Sequence, residues 1–176
     1  RVTNLTLTEK VGLLSGVGQF SSRCVGNTTP VSRIGLPAIC FQDGPAGVRL
    51  VKNVTGFPAG ISAAATFSRR LMQAHGVARA EEFRAKGVHV VLGPAMDLMR
   101  NPKAGRAWES LGPDPYLSGE GAFQTIVGVQ SVGVQAGAKH LVANNQEHWL
   151  YGISTLVDDR TMHEMYFYPF LRRIEA

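Results

Sequence analysis

Apolar residues in this chain form several short, continuous runs that are typical of buried strands. PAICFQD and VHVVLG are the clearest runs, and the first of them ends at Asp43, ahead of a Gly-Pro turn. VQAGAKHLV predicts a further strand, and FPAGISAAATF predicts a weaker strand followed by a turn. We therefore expect four strands.

Helical spacing of apolar residues is found before, between and after these runs. Thr6 and Glu9 form a capping-box pattern, which predicts a helix from about Thr8 to Leu14. Residues 15–37 are rich in Gly, Ser, Thr and Pro, and we interpret them as a long loop. A loop of that length inside a compact domain is usually functional or cross-linked.

Three longer helices are predicted further along the chain. The first is amphipathic, with Ser68 as its cap and Gly87 at its end. Its apolar residues lie near one face, namely Leu71, Ala74, Ala78 and Phe83. YLSGEGAFQTIVGVQSVG predicts the second helix. The third begins in DDRTMHEMYFYPFLRRIEA, with one of the two leading aspartates as its cap, and its apolar spacing reaches the last residue.

The order strand, strand, helix, strand, helix, strand, helix predicts an α/β fold around a parallel sheet. A (β/α) barrel and an open doubly wound sheet both fit this order, and both bind ligands at the carboxyl ends of their strands. No GxGxxG pattern follows the first strand and no GxxxxGK[ST] pattern occurs, which disfavours a nucleotide-binding site.

Composition narrows the class of protein. Hydrophobic residues make up 44% of the 176 residues and charged residues 18%, which fits a folded globular domain. No apolar run is long enough to span a membrane, so we expect no membrane partner. The formal charge of +5 comes from scattered basic residues, a pattern that favours a solvated surface over a nucleic-acid site.

Cys24 and Cys40 are the two cysteines, and either two buried thiols or a disulfide would fit them. No CxxC or HExxH spacing accompanies them, so we expect no metal. Three N-glycosylation sequons begin at Asn4, Asn27 and Asn53. Together with the single cysteine pair, they favour a secreted, extracellular glycoprotein with a Cys24–Cys40 disulfide. No signal peptide is visible, so we expect a trimmed or incomplete N-terminus.

Polar side chains collect where predicted strands end. Asp43 would either accept hydrogen bonds from ligand hydroxyls or cap the turn at Gly44-Pro45. Lys139 and His140 lie at the end of the last strand. Neighbouring strand residues point to opposite faces, so both reach one site only if the strand ends or bends there.

Arg106, in GRAWESLGPDPYLSG, would either bind a ligand through its guanidinium or remain a solvated loop residue. Glu147 and His148 would serve either in acid–base chemistry or in a structural network. GxSxG is absent, and no residues have metal-ligand spacing. An aspartate, an arginine, a lysine and a histidine at one rim would suit a ligand dense in hydroxyl groups.

Four motifs, in this order, carry a family resemblance: DGPAGVR, GRAWESLGPDPYLSG, KHLVANNQEH and DDRTMHEMYFYPF. They closely resemble the N-terminal domain of fungal glycoside hydrolase family 3 β-glucosidases. The resemblance extends from about LTLTEKVGLLSG to the last residue. It implies a TIM-like (β/α) barrel, the secreted fungal type in which the two cysteines pair, and no cofactor.

The resemblance also implies a pocket that holds one terminal glucosyl unit in the −1 subsite. The implied sugar-binding residues are Asp43, Arg106, Lys139, His140 and, in the pocket or behind it, Arg49. The carboxylate would accept hydrogen bonds from sugar hydroxyls, and the cations and the imidazole would donate to others. The implied wall and supporting residues are Leu92, Trp108 and Glu109.

Such enzymes hydrolyse terminal, non-reducing β-D-glucosyl residues with retention of configuration, using one nucleophilic carboxylate and one acid/base carboxyl group. The nucleophile is typically an aspartate in a Ser-Asp-Trp context, which this chain lacks, and the acid/base is usually a glutamate in a following domain. We therefore expect both after Ala176, and interpret Glu147 as structural. β-Glucosides or cello-oligosaccharides are the implied substrates.

A complete barrel of this kind needs about 250 residues, and four predicted strands amount to about half of one. We expect residues 1–176 to be the N-terminal portion of one barrel domain, inactive alone, with the rest of the same polypeptide as its partner. One alternative is an inactive carbohydrate-binding or interaction fragment of the same fold. Another is a xylosidase or an N-acetylglucosaminidase of this family, but DGPAGVR and KHLVANNQEH favour the glucosidase.

Overall fold

A four-stranded sheet forms the centre of the computed structural model, which describes residues 2–19 and 23–176. The strands lie side by side in chain order: β1 (Gly26–Asn27), β2 (Cys40–Asp43), β3 (Val90–Leu92) and β4 (Gln135–Ala136). β2, β3 and β4 run parallel, whereas β1 pairs antiparallel with β2. The structure thus confirms the predicted parallel sheet and its strands in PAICFQD, VHVVLG and VQAGAKHLV.

Buried β-branched residues explain why β3 lies inside the sheet. Val90 and Val91 are 6% and 3% exposed, and they pair with β2 on one side and β4 on the other. Such side chains pack well on a buried, pleated surface. Because the three strands are parallel, their carboxyl ends meet at one edge of the sheet, and this edge carries Asp43.

Six α-helices are present in the described residues: α1 (Leu7–Leu14), α2 (Gly60–Ala64), α3 (Arg69–Ala85), α4 (Pro115–Ser131), α5 (Asp159–Thr161) and α6 (Tyr168–Ile174). Apolar side chains pack in two clusters, of which the first includes residues of the sheet. Phe83 and Val129 pack with Val91 in one, and Met96 packs with Phe170 in the other. Within the described part of the chain, no helix combines the length and apolarity needed to cross a bilayer.

Polar caps start helices where the sequence predicts them. At α1, Glu9 N–H donates to the Thr6 hydroxyl at 3.3 Å and Thr6 N–H donates to the Glu9 carboxylate at 2.8 Å, so the capping box is present. Ser68 caps α3 by accepting from Leu71 N–H at 3.3 Å. These bonds satisfy amides that would otherwise lack an intrahelical partner.

The last predicted helix is divided in the structure. Asp158 caps α5 by accepting from Thr161 N–H at 3.0 Å, and a π-helical turn over Met162–Tyr166 separates α5 from α6. Pro169 has no N–H to donate to the preceding turn, and it lies where a new helix can begin. The helix ends at Ile174, whereas the sequence predicted that it would reach the last residue.

FPAGISAAATF contains α2 and no strand, so the predicted weak strand is wrong. Its successive alanines favour a helix because alanine has the highest helix propensity. Gly60 begins α2 against a 3-10 turn, Ala107–Glu109, where a Cβ would lie 2.3 Å from the Glu109 carbonyl oxygen. The apolar pattern of this segment therefore reflects close packing of small helical residues.

Helix α3 buries a different face from the one predicted. Of the four apolar residues expected there, only Phe83 is buried. The buried residues are Met72, Gly76, Arg79, Ala80 and Phe83. A Cβ on Gly76 would lie 2.6 Å from Thr125 O in α4, and one on Gly128 would lie 2.4 Å from Gln73 O. The close approach of α3 to α4 therefore decides which face is buried.

The predicted long loop contains strand β1, which was not predicted because two residues give no periodic pattern. The Cys24–Cys40 disulfide joins the segment before β1 to β2, with Cα atoms 5.5 Å apart. The expected disulfide is therefore confirmed. Residues 20–22 of this loop lie outside the described residues.

Candidate functional site

Asp43 ends β2 with its carboxylate between two cations. Lys139 Nζ donates to Oδ1, and Arg49 Nη1 donates to Oδ2 at 2.5 Å. Gly44 N–H also donates to Oδ1, at 3.1 Å. The Asp43 side chain is 16% exposed, so it is partly buried yet open to a ligand.

The ionisation of Asp43 follows from these neighbours. Burial raises the pKa of the carboxyl, but Lys139 and then Arg49 lower it by more, so the pKa lies below its ordinary value. Asp43 is therefore a carboxylate at neutral pH. A charged acceptor forms stronger hydrogen bonds to hydroxyl groups than a neutral one.

Gln42 and Gly47 shape the turn after Asp43. The fully buried Gln42 side chain accepts from Asp43 N–H at 2.8 Å and donates to Arg49 O at 2.7 Å. Gly47 has a φ of 124°, and a Cβ there would lie 2.5 Å from Thr55 O. The DGPAGVR motif therefore folds back so that the Arg49 side chain meets Asp43.

A cavity of about 410 Å³ opens beside this turn. Residues 43–49 and 54–56 line one part of it, and Trp108 and Glu109 line another. Trp108 is 49% exposed and offers an aromatic surface. This volume is within the range of small-molecule sites. Leu92, implied as a wall residue, lines a different hollow of about 310 Å³.

Arg106 does not line this cavity itself but is fixed by Glu109, which does. Its Nε and Nη2 donate to the two Glu109 carboxylate oxygens at 2.8 and 2.6 Å, and its Nη1 lies 3.7 Å from Glu147 Oε1. Glu109, and more weakly Glu147 and Asp43, raise the pKa of Arg106. Arg106 is therefore a fixed cation that interacts electrostatically with Asp43, although no hydrogen bond joins these two described side chains.

Backbone pairing brings Lys139 to the edge of the sheet beside Asp43. Lys139 N–H donates to Pro94 O at 3.0 Å, and Met96 N–H donates to Lys139 O at 2.8 Å. The strand pairing thus continues past β3 and β4, although β4 itself ends at Ala136. Lys139 follows β4, and its ammonium reaches past β3 to Asp43 at the end of β2.

His140 follows Lys139 across a cis peptide bond and contacts a different carboxylate. Its Nδ1 lies 2.7 Å from Asp97 Oδ2, and its backbone N–H donates to the same oxygen at 3.1 Å. The structure therefore brings Asp43, Arg49 and Lys139 into direct contact and holds His140 through Asp97.

Asp97 was not predicted as a site residue. It stands in PAMDLMR between Met96 and Leu98, which are 0% and 1% exposed, and its own side chain is 0% exposed. A lone carboxylate among buried apolar residues needs a polar partner. An aspartate within an apolar run was therefore the signal in the sequence that could have identified Asp97. Nothing in the spacing identified His140 as that partner.

Comparison with known proteins decides the family. Residues 18–176 match the model of the glycosyl hydrolase family 3 N-terminal domain. The chain belongs to this family. The resemblance carried by the four motifs is therefore confirmed.

Known relatives match almost the whole chain. Probable β-glucosidase L of Aspergillus terreus is 50% identical over 176 residues, covering 99% of this chain and 24% of the relative. The structure of β-glucosidase D2-BGL from Chaetomella raphigera has a TM-score of 0.94 at 46% identity, covering 99% and 24% of the two chains. β-Glucosidase 3B from Thermotoga neapolitana, solved with glucose, has a TM-score of 0.91 at 43% identity, covering 98% and 27%.

The chain thus spans about a quarter of the length of these relatives. Its parallel strands and helices match the N-terminal part of family 3 β-glucosidase structures and correspond to about half of a TIM-type barrel. The family match therefore decides between the barrel and the open doubly wound sheet in favour of the barrel.

Proposed function

We propose that this chain supplies the sugar-binding −1 subsite of a retaining β-glucosidase. The observation that carries the proposal is the ionised Asp43, held by Lys139 and Arg49 on the wall of an open cavity beside Trp108. A terminal glucosyl ring offers hydroxyls to such charges and an apolar face to the aromatic ring. The relatives named as β-glucosidases support this choice of sugar.

Each charged group of the candidate site has a binding role in this proposal. Asp43 accepts hydrogen bonds from glucosyl hydroxyls, and Lys139 donates to a neighbouring hydroxyl. Arg106 donates from the part of its guanidinium that Glu109 leaves open. Arg49, whose side chain is 62% exposed, lies at the rim and supports Asp43.

His140 accepts a hydrogen bond from a further hydroxyl at Nε2, because its single N–H, on Nδ1, is donated to Asp97. Its Nδ1 is engaged by Asp97, which fixes the ring and leaves the other nitrogen for the substrate. The dyad of His140 and Asp97 therefore binds and orients the sugar and performs no proton transfer in the chemical step.

Hydrolysis with retention needs a nucleophilic carboxylate and an acid/base carboxyl group. Asp43, Glu109 and Asp97 are each engaged by a cation or an imidazole, which suits binding. We place the catalytic aspartate and glutamate after Ala176, in the rest of the same polypeptide. The chain's coverage of about a quarter of its relatives supports this division.

The rest of the polypeptide is also the proposed partner of this segment, which we take to be one portion of a barrel domain and inactive alone. Large apolar side chains are exposed in the described structure, among them Leu14 at 89%, Tyr151 at 102% and Leu156 at 91%. Exposed apolar surface of this kind is usually covered in the complete protein.

The Cys24–Cys40 disulfide supports secretion, because disulfides persist in oxidising compartments. We propose an extracellular glycoprotein that carries N-glycans at Asn53 and Asn27, and at Asn4. Asn4 and Asn53 are exposed, and Asn27 is partly buried in β1. Mass spectrometry of the secreted protein would detect the glycans, and their absence at all three sites would contradict this part of the proposal.

Hydrolysis of aryl β-glucosides by the complete protein tests the proposed activity. We expect turnover with β-glucose as the first product, and a strong loss of kcat/KM in Asp43→Asn. A preference for aryl β-xylosides would contradict the choice of sugar. Glucose binding without hydrolysis would instead support an inactive carbohydrate-binding protein.

A further inference from the structure

Arg79 is a buried cation on α3 that faces the turn after Asp43. It is 4% exposed, and its Nη1 donates to Gly44 O at 3.2 Å and to Pro45 O at 2.6 Å. No described carboxylate forms an ion pair with it. Among the described residues, the acceptors of its hydrogen bonds are the two carbonyls that directly follow Asp43.

Burial lowers the pKa of the Arg79 guanidinium to about 10, so it remains a cation at neutral pH. A buried charge without a counter-ion is costly unless hydrogen bonds satisfy it. The two carbonyls therefore satisfy the guanidinium by accepting its hydrogen bonds. The same bonds fix the backbone that follows Asp43. An apolar residue would fit the same helix face without this cost.

Phe83 of α3 fixes the same turn by packing. A Cβ on Gly44 would lie 2.1 Å from the Phe83 ring, so the ring and the turn are in close contact. Arg79 and Phe83 lie one helical turn apart on the buried face of α3. Helix α3 therefore sets the position of Gly44, and with it the end of β2 where Asp43 stands.

His75 lies one helical turn before Arg79 and offers the complementary hydrogen-bonding group. Burial, and then the charge of Arg79, lower the pKa of His75 to about 4, so the ring is neutral at neutral pH. Its hydrogen bond to the Pro58 backbone uses Nδ1–H, which leaves Nε2 as an acceptor.

His75 Nε2 and Arg79 Nε are both buried without a partner among the described residues. Both side chains line a cavity of about 10 Å³, about the size that one water molecule needs. A water there would accept from Arg79 Nε–H and donate to His75 Nε2. The site therefore has the donor, the acceptor and the space for a single water.

We propose that Arg79 is a positioning residue: its hydrogen bonds to the Gly44 and Pro45 carbonyls fix the position of Asp43. One water bound between Arg79 and His75 completes the hydrogen bonding of Arg79. The positioning role of Arg79 rests on the proposed β-glucosidase activity. Neither residue touches the sugar. Their effect on binding passes through the turn.

Arg79→Lys in the complete protein tests the positioning role, with Arg70→Lys, an exposed position on the same helix, as the matched control. Lysine keeps the charge but lacks the planar fork that spans two carbonyls. We expect a lower kcat/KM by about 10- to 100-fold, carried mainly by a higher KM, because a small misplacement of a binding group has this effect. The control should match the wild type.

Measuring the changes in KM and in kcat separately distinguishes a positioning role from an effect on general stability. A structural role alone would reduce the amount of active enzyme and so lower kcat at unchanged KM, which would overturn the inference. If Arg79→Lys does not fold, His75→Leu serves instead. It removes the acceptor of the water and should raise KM in the same direction, and an unchanged KM would count against the inference.

A crystal structure of the complete wild-type protein at high resolution tests the water independently of activity. We expect one water within hydrogen-bond distance of both Arg79 Nε and His75 Nε2, and a dry cavity would overturn that part. An inactive wild type with the water in place would overturn the proposed activity and leave the water site standing. An active wild type with an unaffected Arg79→Lys variant would overturn the positioning role alone.

Discussion

Charge pairing determines what each side chain of the site can do. Asp43 is held by Lys139 and Arg49, Arg106 by Glu109, and His140 by Asp97, so every proposed sugar-binding group has a fixed orientation. Groups that are already oriented lose little conformational freedom when the ligand binds. The site is therefore preorganised by pairs of opposite charge.

Lys139→Met should remove the ammonium that is bonded to Asp43. We expect kcat/KM to fall by about 10- to 100-fold, since a hydrogen bond to a charged group contributes about 1.5–3 kcal/mol. The pKa of Asp43 should rise, because Lys139 is the main group that lowers it. The acidic limb of kcat/KM should therefore move to higher pH. Lys139→Arg, which keeps the cation, is the control, and identical acidic limbs in wild type and Lys139→Met would contradict this assignment.

Asp97→Asn should loosen His140. The amide keeps the shape of the side chain but removes the charge that holds Nδ1–H, so the ring becomes free to adopt the other tautomer. We expect a rise in KM for aryl glucosides of about 10-fold. Asp159→Asn changes a side chain that is 97% exposed and should have no effect. Equal KM values for the two variants would argue against an orienting role for Asp97.

The sequence predicted which polar side chains come together better than it predicted all of their partners. Asp43 and Lys139 stand at strand ends, where parallel sheets bind ligands, and they are in contact in the structure. Asp97 and Arg79 were missed, because a linear pattern shows that a charge is buried without showing which group it meets. Arg79 also lies on a helix face that was assigned wrongly.

At the scale of elements, the contact between α3 and α4 supports the turn that carries Asp43. Gly76 and Gly128 let the two helices approach until each lies against the other's backbone. α3 in turn bears Arg79 and Phe83 against Gly44. The position of the site therefore depends on the spacing of two helices.

Gly128→Ala should push these helices apart. Its Cβ would lie 2.4 Å from Gln73 O, which is backbone and cannot rotate away. We expect a loss of stability of about 2 kcal/mol from overpacking, measured as a lower midpoint in denaturant. Gly12→Ala in α1, where the nearest contact is 3.4 Å, is the control and should be neutral or stabilising. A Gly128→Ala variant as stable as the control would disprove the close-packing interpretation.

Elements that lie within a clear apolar or periodic pattern were predictable, whereas β1 and α2 were not. The runs around β2 and β3 and the periodic residues of α3 and α4 gave the right type of structure. β1 has only two residues and depends on its pairing with β2, a contact between distant parts of the chain. α2 was mistaken for a strand because its small residues form an apolar run in the sequence and a tightly packed helix in the structure.

At the scale of the whole molecule, the chain matches the N-terminal part of family 3 β-glucosidase structures. Parallel strands with intervening helices were predicted, but their order alone fits both a barrel and an open sheet. The match to family 3 structures at TM-scores of 0.94 and 0.91 resolves that choice. Composition and periodicity could not do so, because strand closure depends on residues that pair far apart in the chain.

The most direct test of the central claim is a crystal structure of the complete protein with bound glucose. We predict a glucosyl ring in the cavity beside Trp108, with hydroxyls within hydrogen-bond distance of Asp43, Lys139, Arg106 and His140. A glucose molecule bound elsewhere, with this cavity holding only solvent, would contradict the assignment of these residues to the sugar-binding subsite.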